Sequence, residues 1–508
     1  MTSPIKFGTD GWRAVIADTF TFENVRAAAE ATAEYFKTVG GCERAVFVGF
    51  DVRFQSKAFA QAAAEVIAAN GFRVVMLDRP YPTPYVSFEV RRRKFVGGIM
   101  ITASHNPPAF NGFKVKAHFG GSATPAITAK IEEALSAGAG GTRGMENGVR
   151  PLPQDGSHSS HSIHAVREGS DPRFPSPLSP PPLRLETVGP EKFYFEHLKS
   201  LLDWDRISKS KLKIVVDSLH GCGGYILEEL LRDTTCTVRT IRGNPDPLFG
   251  GIHPEPMMPQ LEPLGEAVRN SGSHVGLATD GDADRLGIVD ENGQYVNTLL
   301  TLSLLLLHVY RTRGWRGAVA RTYSQSLLIP RIARTFGLEL YECPIGFKNI
   351  GELMLDREIL IGGEESGGIG LSRHLPERDG IFINLLFLDL LAASGKTCTG
   401  LIHDMWKEFG EFHYDRRDLH VPIETGNAVV AKWRTDPPST FAGRRVQDVG
   451  KLDGSKVFLE KDSWILFRQS GTEPLLRVYC EAPTQPAVAE IMAAGLQFVE
   501  QFGSDGVI

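Results

Sequence analysis

Short, nearly unbroken apolar runs alternate with longer stretches of helical period along most of the chain. Residues 45–50 (AVFVGF) read as a strand, 58–70 as a helix, and 74–77 and 98–102 as further strands. That β-α-β rhythm predicts a parallel or mixed sheet flanked by helices. It recurs at 213–217 (KIVVD), 225–232, 237–241 and 275–279 (VGLAT), and again at 318–320, 326–336, 339–342 and 359–362. Three similar units of about 100 residues, an ordinary domain size, predict three related α/β domains. From residue 411 onward short strand signals dominate (WILFR, LLRVYCEA), and a helix over 485–501 closes the chain. This reads as a smaller α+β domain.

The boundaries that follow are 1–138, 189–297, 298–410 and 411–508. Between the first two lies 139–188, with eight prolines between Pro151 and Pro182, many Ser and Gly, and almost no periodicity. Such a composition buries too little apolar area to offset chain entropy, so a disordered connector is expected there. His158, His161 and His164 are spaced like a metal tract, but in a Ser-rich segment a solvated loop is the better reading.

With 508 residues the chain exceeds what one core can organise, and at about 150 residues per domain three or four are expected. Net charge is −5, which gives no global basic field for nucleic acid or a membrane surface. An anionic substrate must therefore be met by local Arg and Lys. Six scattered cysteines without a C-x-x-C favour reduced thiols in a cytoplasm. The opening MTSPIKFGTDGWR carries no apolar signal core, and the greasy run 299–309 is too short to span a bilayer, so it reads as a buried helix.

The most informative chemistry is the run ATDGDADRLGIVD, which places Asp280, Asp282 and Asp284 at alternate positions. In extended backbone, residues i, i+2 and i+4 point the same way, so three carboxylates converge. Their repulsion is relieved most simply by a divalent cation, and three oxygen ligands with room for a phosphate oxygen or water suit Mg²⁺ better than Ca²⁺. An EF-hand loop nearly fits, with Glu291 at the twelfth position, but Arg285 stands where that loop needs Gly. The flanks HVGLAT and RLGIV also read as strands and not helices.

A second element is Ser104, which follows the strand 98–102 and precedes His105, Asn106 and two prolines. This places it at the C-terminal lip of a sheet, where open α/β folds bind ligands. His105 or Lys114 could move a proton for it. The surroundings are not a G-x-S-x-G elbow, so acyl transfer is disfavoured. A serine nucleophile beside a Mg²⁺ loop fits phosphoryl transfer, which needs charge neutralisation and in-line positioning.

Two further loops complete the set. GGEESGG at 362–368 offers carboxylates and a hydroxyl suited to a polyol such as a sugar, and RQSGTEP at 468–474 offers a guanidinium, hydroxyls and a glycine suited to phosphate. S-G-K-T at 394–397 is not a P-loop, since Leu390 occupies the first glycine position.

The ordered set FGTDGWR, TASHNPP-x-x-NGFK, DGDADR, GEESGG and RQSGTEP resembles the α-D-phosphohexomutase family. The resemblance covers nearly the whole chain except 141–188, which has the composition of an unrelated insertion. It implies four domains around a central cleft, the first three sharing one α/β topology. It implies that Ser104 is carried as a phosphoserine and binds Mg²⁺ with Asp280, Asp282 and Asp284, with a hexose 1,6-bisphosphate as intermediate and activator. Arg13, His105, Lys114 and Arg285 match positions that support the transferring phosphate or move protons. Lys348, Glu364, Ser366 and His374 match the sugar-reading region, and Arg468, Ser470, Gly471, Thr472 and Arg477 the site for the phosphate that is not reacting. GEESGG resembles the loop of phosphoglucomutase-like members more than GEQSGH or GEMSGH forms, which favours a glucose phosphate, with a mannose phosphate as alternative or additional substrate. A Mg²⁺-dependent sugar phosphatase and a non-catalytic sugar-phosphate binding protein are the readings from other classes. Oligomeric state is not legible.

Overall fold

The computed structural model describes residues 5–8, 10–139, 185–471 and 474–503. Three mixed α/β units precede an all-antiparallel six-stranded sheet packed with helices. In the first unit, Glu43–Phe50 pairs in parallel with Arg73–Leu77 on one side and Phe95–Ile101 on the other, and Phe110–Ala117 adds antiparallel to the last of these. In the second, Lys213–Asp217 lies between Thr237–Ile241 and Val275–Thr279, and Leu286–Val289 adds antiparallel to the latter. In the third, Ala318–Thr322 lies between Leu340–Cys343 and Ile359–Gly363, followed by antiparallel Ile369–Gly370. Counted from its first parallel strand, every unit has the spatial order 4-3-1-2 with strand 4 reversed. The three related domains expected from the rhythm are thus one topology used three times.

The inner parallel strands Phe95–Ile101, Val275–Thr279 and Ile359–Gly363 are buried throughout, as a sheet covered by helices on both faces requires, while the edge strands Thr237–Ile241 and Leu340–Cys343 stay partly exposed. The helix Gly380–Ser394 is apolar on all sides because it lies inside the molecule, and Asp379 caps it by accepting from the Phe382 amide at 2.9 Å. Residues 299–309 are helical and buried as expected, within Thr298–Leu307 and the turn that continues it. Among the described residues no single helix is long and apolar enough to cross a membrane. All six cysteines are unpaired thiols.

One boundary is corrected. Leu185–Val188, assigned above to a disordered connector, forms a strand parallel to Arg73–Leu77 at the edge of the first sheet. Its backbone groups pair there, and Leu185 and Val188 pack against the core, so the first unit regains chain after 184. The helix Pro125–Ala139 likewise runs one residue past the boundary at 138. Residues 140–184, with His158, His161 and His164, lie outside the described residues.

Candidate active site

The connection from strand 3 to strand 4 carries candidate site residues in all three units. It holds Ser104 in the first, Asp280, Asp282 and Asp284 in the second, and Glu364 and Ser366 in the third. Each connection leaves the C-terminal end of a parallel strand, so repeating the topology presents three equivalent loops that can face one another. They meet closely. The Leu286 amide donates to Gly367 O at 3.1 Å and the Gly380 amide to Ala283 O at 3.1 Å. A Cβ on Gly281 would lie 2.6 Å from the Ser104 carbonyl, and one on Gly380 would lie 2.3 Å from the Arg285 carbonyl, so both contacts need glycine.

Ser104 is fully buried, in left-handed backbone (φ 51°), and its Oγ donates to Asp280 Oδ2 at 2.8 Å. Each of the three aspartates is fully buried, and each offers one oxygen within 4.8 Å of the others. Asp282 Oδ1 and Asp284 Oδ1 are buried and accept no hydrogen bond among the described residues. Buried carboxylate oxygens without partners are costly, and hard oxygen donors in this arrangement fit Mg²⁺. Burial first, and then its neighbours Asp282 and Asp284, push the Asp280 carboxyl well above the usual range.

The opposite oxygens are held by cations. Lys114 Nζ lies 2.7 Å from Asp10 Oδ2, 2.8 Å from Asp282 Oδ2 and 3.1 Å from Asp284 Oδ2. Burial disfavours this ammonium, but those three carboxylates outweigh it and hold the lysine charged far above its ordinary value. Arg378 joins one carboxylate from each unit: its Nη2 donates to Asp10 Oδ2 at 2.5 Å and Asp284 Oδ2 at 2.7 Å, and its Nη1 to Glu364 Oε2 at 3.3 Å. Burial and the surrounding Arg285, Arg13, Arg416 and Arg477 push His105 well below its usual range, which favours the neutral imidazole, and its Nδ1 lies 3.3 Å from Ser104 Oγ. Arg13 donates to Asn106 Oδ1 at 2.6 Å. Arg285 lies 3.6 Å from Glu255 and 3.9 Å from Asp284 Oδ1. A serine hydroxyl, an imidazole and a metal-fitting triad therefore sit among closely spaced cations and carboxylates, an arrangement that a divalent cation and an anionic group could join.

A residue the sequence did not single out shapes the serine loop. Arg53 is buried, pairs with Asp51 through Nε at 3.0 Å, and donates from Nη2 to the carbonyls of Ser104 (2.7 Å) and Asn106 (2.6 Å). Its Nη1 donates to the carbonyls of Pro107 (2.8 Å) and Phe110 (2.9 Å). One guanidinium thus fixes the turn from strand 3 to strand 4. Asp10, Arg378 and Arg416 were also missed as site residues; only Asp10 lay inside a motif already singled out, FGTDGWR.

The outer loops are only partly assembled around this centre. Glu364 is buried beside Arg378, and burial raises its carboxyl above the usual range. Ser366 is half-buried in the adjoining turn, and Lys348 Nζ reaches the Gly8 carbonyl at 3.4 Å. In the C-terminal domain Arg468 Nε donates to both oxygens of Asp453 at 3.0 Å, Ser470 is buried, Gly471 is exposed, and Arg477 lies 3.6 Å from Asp418. Thr472 lies outside the described residues. His374 departs from the expected sugar-reading place. Its Nε2 is 2.8 Å from Asp379 and its Nδ1 3.0 Å from His197 Nε2, so the ring belongs to a buried polar chain between domains. A histidine's neighbours in sequence do not reveal which way its ring turns.

Comparison with known proteins agrees with this architecture. Models of the phosphoglucomutase/phosphomannomutase family match in order: α/β/α domain I over residues 4–140, domain II over 192–293, domain III over 300–409 and the C-terminal domain over 434–496. A phosphoglucomutase/phosphomannomutase of Thermococcus kodakarensis is 28% identical, covering 97% of this chain and 98% of its own. A protein of Pyrococcus horikoshii described as a phosphoglucosamine mutase is 27% identical over 98% of each chain. A solved structure described as a phosphomannomutase from Thermus thermophilus superposes with a TM-score of 0.81 at 34% identity, covering 98% of this chain and 100% of that one. Because all four domains match in sequence and order, the chain belongs to the α-D-phosphohexomutase family and is an intramolecular phosphotransferase acting on hexose phosphates.

Proposed function

We propose that the protein interconverts glucose 1-phosphate and glucose 6-phosphate through a phosphoserine at Ser104 and a glucose 1,6-bisphosphate intermediate. The observation that carries this reading is Ser104 Oγ set 2.8 Å from Asp280, beside a buried triad with two carboxylate oxygens that accept no hydrogen bond among the described residues. Asp280, Asp282 and Asp284, with an oxygen of the serine phosphate, would hold Mg²⁺, which supplies charge neutralisation for the transferring phosphoryl group. His105, kept neutral, can take the proton from the attacking sugar hydroxyl. Lys114, within 3.1 Å of three carboxylates, serves as a cation beside the triad.

The cycle balances over two transfers. Phosphoserine 104 gives its phosphoryl group to the free hydroxyl of the hexose monophosphate, and the serine oxygen leaves. The resulting bisphosphate turns over and returns its other phosphoryl group to Ser104. Arg468, Ser470, Gly471, Thr472 and Arg477 would grip whichever phosphate is not reacting, while Lys348, Glu364 and Ser366 meet the sugar hydroxyls. Burial of the serine and the triad supports transfer to sugar over loss to water.

Glucose is favoured by the GEESGG loop. A mannose phosphate is the second reading, favoured by the relative described as a phosphomannomutase. The purified protein, assayed with Mg²⁺ on glucose 1-phosphate and mannose 1-phosphate with trace bisphosphate, separates these. The proposal expects 6-phosphate product, higher kcat/KM for glucose and negligible free phosphate. Stoichiometric free phosphate would replace it with a phosphatase, and a mannose preference would replace the substrate.

A further inference from the structure

We propose that Asp453 is a positioning residue that aims Arg468 at the non-reacting phosphate and ties that arginine to the Lys348-bearing segment of the third domain. The proposal rests on the mutase reading above and adds a residue that the family motifs in this sequence do not include.

Asp453 sits in the turn between the strands Arg444–Gly450 and Ser455–Leu459, outside the RQSGTEP loop. Both of its oxygens lie 3.0 Å from Arg468 Nε. Oδ2 also accepts from the Ile345 amide of the third domain at 2.8 Å. Ile345 precedes the helix Phe347–Asp356, whose first turn carries Lys348. One carboxylate therefore spans the domain seam, with an arginine of one ligand loop on one side and the chain leading to Lys348 on the other.

A guanidinium presents its Nε edge and its terminal amino groups in a rigid plane, so a carboxylate on Nε decides where the remaining fork points. Here Nε is taken, while Nη1 and Nη2 make no hydrogen bond to protein among the described residues. They are the donors a phosphate accepts in bidentate fashion. The pair is largely shielded, with side chains 15% and 19% exposed, so it is a better-fixed contact than a surface ion pair. The turn itself is held in place. Gly454, in left-handed backbone (φ 81°), packs so that a Cβ would lie 2.3 Å from the Phe467 carbonyl, and Arg434 donates to the Gly454 carbonyl at 2.7 Å.

The test is a double-mutant cycle in the full-length protein: wild type, Asp453→Ala, Arg468→Ala and the double variant, assayed for glucose 1-phosphate conversion to glucose 6-phosphate. The proposal expects Asp453→Ala to lower kcat/KM roughly tenfold, as a loosened charge-assisted contact does, and to have less than about a twofold effect once Arg468 is absent. Asp453→Asn, which keeps an acceptor of the same size, should recover part of the loss and serves if the alanine variant does not fold. Equal losses from Asp453→Ala in both backgrounds, or no loss in either the Ala or the Asn variant, would overturn the proposal. A wild type without mutase activity would instead remove the functional reading, so the two failures are distinct.

Discussion

Ser104 Oγ donates to Asp280 Oδ2 at 2.8 Å although 176 residues separate them in the chain. The contact exists because one topology is used twice, each copy presenting its strand 3 to strand 4 connection toward the other, with glycine at the point of closest approach. Ser104 and the metal-fitting carboxylates thus sit on short connections anchored at sheet ends, an arrangement suited to holding a transferring group in line.

We predict that Asp282→Asn and Asp284→Asn each weaken Mg²⁺ binding. Loss of a direct ligand should cost no less than the ~10–100-fold typical of partners one step further out. Calorimetric titration of Mg²⁺ reads this without activity, and Mg²⁺ should raise the melting temperature of the wild type more than that of either variant. Unchanged affinity in both variants would remove the aspartates from the metal site.

Arg53 predicts a stability effect tied to the serine loop. Arg53→Ala strips four carbonyls of a donor and leaves the buried Asp51 without its cation, which should cost about 3–5 kcal/mol in denaturant unfolding. A loss below about 1 kcal/mol would mean the loop is held by other contacts.

The two outer loops should separate kinetically. Arg468→Ala is predicted to lower kcat/KM by roughly tenfold to a hundredfold, since a charge-assisted contact contributes about 1.5–3 kcal/mol. The loss should be similar for glucose and mannose phosphates if, as proposed, this loop meets phosphate and not the 2-hydroxyl. Glu364→Ala should instead change the ratio between the sugars. The opposite pattern would show the roles reversed.

The His197–His374 contact predicts acid sensitivity. Burial, and then the facing His374, depress His197 to about 4 from its ordinary 6.5. Between those values the unfolded chain binds the extra proton, so stability falls as pH drops from about 6.5 to about 4 and this contribution is flat outside that window. His374, Asp379 and Arg91 face the ring and set the rest of the balance. His197→Gln should flatten the slope of unfolding free energy against pH in that window; an unaltered slope would place the acid sensitivity elsewhere.

What the sequence disclosed follows from how local each signal is. Strands such as Val275–Thr279 and Leu475–Ala482 were delimited to the residue, because polar or glycine-bearing turns bracket their apolar runs. The helix Thr83–Arg93 escaped notice because eight of its residues are buried, Glu89 among them, which erases the amphipathic period. Leu185–Val188 is four residues long and finds its partner strand more than 100 residues away, so composition alone assigned it to a connector. The aspartate triad was legible because its spacing is its geometry. Arg53, Arg378 and Asp453 were not, because each acts on atoms distant in the chain, and nothing adjacent distinguishes them from surface charges.

The central claim is that Ser104 carries the phosphoryl group, and label transfer tests it most directly. Wild type and Ser104→Ala would be incubated with Mg²⁺ and glucose 1,6-bisphosphate labelled in one phosphoryl group, then quenched and mapped by mass spectrometry. The account predicts label on the Ser104 peptide of the wild type, its discharge into bisphosphate on adding unlabelled glucose 1-phosphate, and no label on a folded Ser104→Ala protein. Label on another residue, or multiple turnover by Ser104→Ala at the wild-type rate, would contradict it.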